Sequence, residues 1–172
     1  MAGTSPGLTL AVTRDIAATW RAPRATIRRL LQAGPREDRA IVYLMVACFL
    51  IFIAQWPRLA RESFLHPEIP LEARLGGALM AWMFLMPLFF YGFAAFSHLL
   101  ARMLGGKGTW FGARLALFWA LLAVSPVWLL HGLVAGFIGG GMALSLVATV
   151  LAVAFLAIWL LSLAEAEAFG RA

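Results

Sequence analysis

Charge is what this sequence has least of. Only 13% of its 172 residues are Asp, Glu, Lys or Arg, while 63% are hydrophobic. A soluble domain carries about a quarter charged residues to keep its surface hydrated. The shortage is local: no charged residue lies between positions 78 and 101, or between 115 and 164. A water-soluble fold cannot hide runs of that length, whereas hydrocarbon accepts them. Cysteine is equally scarce. Cys48 is alone and sits inside an apolar run, so no intramolecular disulfide can form. No acid falls inside the long apolar runs, and none of Ser97, Ser125, Ser145 and Ser162 stands in a GxSxG setting. Paired-carboxylate and serine-nucleophile chemistry therefore have no carriers, and no enzyme activity is expected. His66, His98 and His131 are scattered over three segments with no HExxH and no cysteine cluster. Neither a metal site nor a cofactor is expected.

What is present is long and apolar. Four stretches, about 35–56, 71–103, 111–137 and 142–164, reach the length at which a helix crosses a bilayer. The expected fold class is all-α, a polytopic helical membrane protein with four transmembrane helices. Residues 1–34 form a basic segment ahead of the 35–164 membrane domain, and 165–172 form a tail. Gly34-Pro35-Arg36-Glu37-Asp38 suits a helix start, with proline in the first turn and acids at the positive end of the dipole. Trp56-Pro57 is expected to end that helix. Pro87 and Pro126 each remove a backbone donor and should kink their helices. The 111–137 stretch reads as one kinked helix, with two short helices meeting at Pro126 as the alternative.

Basic residues set the expected orientation. Seven arginines precede the apolar part of the first stretch, which begins at Ala40: Arg14, Arg21, Arg24, Arg28, Arg29, Arg36 and Arg39. With both ends in the cytoplasm, eleven basic residues lie inside and three outside, as the positive-inside rule requires. The expected location is the inner (plasma) membrane, multi-pass, with a cytoplasmic N-terminus. Leu8, Val12, Ile16 and Trp20 recur every four residues, and Ile27, Leu30 and Leu31 follow Pro23. This pattern predicts two short amphipathic helices in the inner interface, with apolar sides in the acyl boundary. Trp20, Arg21, Arg24, Arg28 and Arg29 are the candidate lipid- or partner-binding residues. Expected partners are anionic lipid headgroups, a membrane or cytoplasmic protein, or a second copy of the chain, and not nucleic acid.

Gly105-Gly106-Lys107-Gly108-Thr109 is glycine-rich but fails the GxxxxGK[ST] spacing of a phosphate loop, and reads as a flexible turn. His98 is expected near a helix terminus. His131 lies deeper, one turn after Pro126, and a single hydrogen bond to a carbonyl would satisfy it. With Ser125 and Pro126, these histidines are the candidates for an intramembrane polar site. Gly132, Gly136 and Gly140 form a four-residue row that lets helix backbones approach closely.

Trp20-Arg21-Ala22-Pro23-Arg24, then Ser97-His98-Leu99-Leu100-Ala101 running into the glycine turn and Trp110, then the Ser125-Pro126 helix, give the chain a family likeness. It resembles the Yip1 family of membrane proteins in its short alphaproteobacterial form, from about Trp20 onward. The family usually has five spans. Here Glu165-Ala166-Glu167-Ala168-Phe169 resembles the linker that precedes a fifth. The resemblance implies a non-enzymatic, multi-span inner-membrane protein with no catalytic residues to carry over. The expected function is a membrane scaffold or adaptor with a basic N-terminal face. The alternative is a small channel or transporter component with a path near Pro126 and His131.

Overall fold

Apolar runs with no charge leave the backbone to satisfy its own polar groups, and helices do this segment by segment. In the computed structural model, residues 6–169 are described, with side chains from residue 12 onward. Residues 1–5, the side chain of Leu8 and Arg171 fall outside that range. The described residues form eight α-helices and one π turn. These are α1 (Pro6–Thr19), α2 (Pro23–Gln32), α3 (Glu37–Leu65), α4 (Leu71–Met80), the π turn Ala81–Leu85, α5 (Met86–Met103), α6 (Trp110–Ala123), α7 (Ser125–Phe137) and α8 (Met142–Phe169). No strand occurs among them.

Among the described residues three helices are long and apolar enough to cross a membrane: α3, the continuous Leu71–Met103 segment, and α8. A fourth crossing exists if α6 and α7, bent by 44° at Val124, are counted as one broken span. The outer faces agree with that solvent. Phe84, Leu88, Phe89 and Phe96 on one segment, and Leu146, Val153 and Leu160 on α8, are all exposed. In water such a surface would aggregate.

α6 is the centre of the bundle. Its residues 115–123 are buried without interruption, enclosed by α3, α5 and α8. α3 runs parallel to α6 and α7. Glu37 meets Arg114 near one end, the Tyr43 and Trp119 rings meet edge to face at 5.0 Å, and Arg61 reaches Gly136 near the other end. α1 and α2 form a hairpin against α6 and α8, and the end of the bundle beside it is the hairpin end.

Pro87 and Pro126 coincide with irregular turns, and Pro57 is the exception. Pro87 lies just past the π turn, separated from it by Met86, inside a segment that stays continuous from Leu71 to Met103, and the widened turn accommodates its missing donor and its ring. Pro126 opens α7. Pro57, expected to end the first long helix, lies inside α3, which continues to Leu65. The neighbour explains the exception. Gly136 of α7 offers no side chain at this point, and a Cβ there would lie 2.7 Å from the Pro57 carbonyl carbon. The irregular proline turn is packed against bare backbone.

Candidate functional site

Two polar places stand out in an otherwise apolar bundle. The first is at the hairpin end. Glu167, on the last turns of α8, is buried together with His98 of α5, and the two side chains meet at 2.7 Å from Nδ1 to Oε1. The other carboxylate oxygen, Oε2, accepts from the backbone N–H of Gly108 at 2.8 Å. The Lys107 N–H donates to the Glu167 carbonyl at 3.4 Å. His98 also packs against the Trp110 ring at 4.5 Å. The turn expected to be flexible is therefore clasped. Two of its glycines are required by proximity, since a Cβ on Gly106 would lie 2.6 Å from Glu167 Oε2 and one on Gly108 would lie 2.8 Å from the Ala166 carbonyl oxygen, while Gly105 adopts a φ of 88°. Thr109 then caps α6 by accepting from the Gly112 N–H at 3.0 Å.

The hairpin joins the same end. Arg28 pairs with Glu165 at 2.6 Å and Arg29 with Asp15 at 2.5 Å. Glu165 and Glu167, two residues apart, thus serve different partners. α2 buries Thr26, Ile27, Leu30 and Leu31 while Arg24, Arg28 and Arg29 stay exposed. The apolar side expected to lie in the acyl boundary is turned onto protein instead, where it joins the core around α6. Trp20, half exposed, donates its indole N–H to the Ala123 carbonyl at 3.0 Å. That carbonyl is left over at the α6–α7 break, because the Val127 N–H turns back to Val124. Thr19 is fully buried beside it and accepts from the Trp119 indole N–H at 3.0 Å. Arg21 and Arg24 are exposed with no partner among the described residues.

The second place is in the other half of the bundle. A partly open cavity of about 500 Å³ lies between α3, α7 and the π turn. Gln55, Arg58, Trp82, Trp128 and His131 line it above the bare backbone of Gly132. The carbonyl bond expected for His131 is not made. Among the described residues His131 has no hydrogen-bond partner, and its ring stands edge-on to Trp128 at 6.0 Å.

The four candidates for one intramembrane polar site stand apart. His98 is in the clasp, buried Ser125 and Pro126 are at the break, and His131 is in the cavity. Gly132 and Gly136 are brought together against α3, where a Cβ at Gly132 would collide with the Ala54 carbonyl. Gly140 meets nothing within 4 Å and does not extend the row. Arg61, unremarked in the sequence, closes α7 by donating to the Gly136 carbonyl at 3.2 Å. Among the described residues no group of three His, Cys, Asp or Glu is placed to hold a metal ion. Glu165 and Glu167 were also missed. The available signal was two acids closing a helix that carries no other charge.

No protein-family model, no curated protein and no solved structure matches the chain.

Proposed function

We propose that the protein is a non-enzymatic, Yip1-like membrane scaffold or adaptor. In this reading its basic hairpin faces the cytoplasmic side of the inner membrane and engages anionic lipid or an acidic protein surface. One observation carries the reading: α2 is anchored by Ile27, Leu30 and Leu31, so Arg21, Arg24, Arg28 and Arg29 are presented outward from a fixed base. Arg28 and Arg29 are offset by acids, and Arg21 and Arg24 supply the net attraction. Each contributes about 1 kcal/mol near an anionic leaflet. The orientation rests on the charge difference between the ends. Arg14, Arg21, Arg24, Arg36, Arg102 and Lys107 are exposed around the hairpin, whereas Arg58, Arg61 and Arg74 at the far end share their loop with Glu62, Glu68 and Glu72. The Yip1-like part is supported by where its motifs meet, since His98, Gly106, Gly108 and Trp110 gather about Glu167.

The test uses the whole protein in vesicles containing spin-labelled lipids. A preference for phosphatidylglycerol over phosphatidylcholine that falls with salt and with R21Q/R24Q is expected. A preference unchanged by both would remove the lipid half of the reading. Retention of a partner from gently solubilised membranes by the wild type, lost in the same double variant, would establish the adaptor half.

A further inference from the structure

The cavity beside the π turn has a chemistry that the hairpin does not share. In a bilayer interior an amide or imidazole without a partner is costly, and such groups persist where something else satisfies them. Gln55 and His131 are both unpartnered among the described residues, and both face this one cavity. Arg58 stands on the same wall, one turn beyond Ala54, where the uncharged part of α3 ends. It is not neutralised. Its acid, Glu62, lies 3.5 Å away and is shared with Arg74, also at 3.5 Å, so two guanidinium groups face one carboxylate. The remaining wall is apolar and aromatic. Trp82, carried on the π turn, meets Trp128 edge to face at 6.1 Å, and Gly132 adds bare backbone to the lining. π turns recur at functional sites because the widened turn re-aims a side chain. The volume falls within the roughly 300–1,000 Å³ of small-molecule sites.

We propose that this cavity is a binding site for one anionic phospholipid. Its phosphate oxygens accept from Arg58, Gln55 and His131, and an acyl chain lies along Trp82 and Trp128. The charge at the mouth selects an anionic head, and the aromatic wall requires an apolar body that free phosphate lacks. This site is separate from the hairpin and does not depend on the function proposed for it.

Native mass spectrometry of the full chain, released from detergent with added lipid, tests the site. One phosphatidylglycerol retained per chain is expected, with weaker retention of phosphatidylcholine. Loss of the charge-assisted contact in R58Q should weaken retention about tenfold. A78L, which narrows the cavity from α4, should weaken it for a second reason, and both losses should persist in an R21Q/R24Q background, where the hairpin's own attraction is removed. Three results would overturn the site: equal retention of both lipids, no effect of R58Q and A78L in that background, or displacement of the lipid by millimolar inorganic phosphate.

Discussion

Replacing Gly132 or Gly136 by alanine tests how α3 and α7 are held together. This is the most extensive helix pair in the bundle. In lipid, close backbone packing of this kind carries much of the association energy. A Cβ at Gly136 would lie 2.7 Å from the Pro57 carbonyl carbon and 2.8 Å from its oxygen, where ordinary contact begins at 3.4 Å. At Gly132 the collision is with the Ala54 carbonyl itself. Neither obstacle is the tip of a flexible side chain, so the helices must separate by several tenths of an ångström along their whole contact. Overpacking of this sort costs about 1–3 kcal/mol. Gly140→Ala is the control: nothing lies within 4 Å, and the effect should stay within about 0.5 kcal/mol. The single cysteine provides the assay. Cys48 is fully buried on α3, so a thiol-reactive fluorogenic dye reports its exposure as the bundle opens under heat or SDS. G132A and G136A should lower the midpoint, with G132A at least as severe. Midpoints equal to that of G140A would refute the close-contact reasoning.

Other perturbations separate the remaining contacts. E167A leaves the Gly108 N–H and His98 without their acceptor, at about 1–3 kcal/mol for each buried orphan, and hydrogen exchange at Gly108 should accelerate; protection unchanged from wild type would show that the clasp does not hold the turn. R28A removes an ion pair whose arginine is largely exposed, so the same dye assay should move by less than about 1 kcal/mol. W20F keeps a ring but deletes the donor to Ala123, costing about 0.5–1.5 kcal/mol, and trypsin should cut sooner at Arg21 and Arg24. Unaltered cleavage would mean that the indole does not anchor the hairpin.

The membrane character of the long helices was legible because it depends on composition alone. Stretches without charge read the same way whatever they pack against. The bend at Pro126 was legible for a similar local reason, since a missing N–H acts on its own turn, whereas the segment around Pro87 runs on through a π turn. Gly132 and Gly136 were legible as a close-packing row, but their partner was not, and Gly140 shows that spacing alone overextends the row. Pro57 shows the opposite limit. A local breaker was carried through because α7 presents bare backbone beside it.

Runs of side chains read one after another were enough to give a helical chain with three or four segments long and apolar enough to cross a membrane. Which polar groups meet was settled by the packing of the helices in space. Glu167 lies 69 residues from His98, Trp20 lies 103 residues from the carbonyl it satisfies, and Arg61 closes a helix 75 residues away. In an apolar solvent each polar group must find a partner, and which partner is a matter of position in space rather than order along the chain.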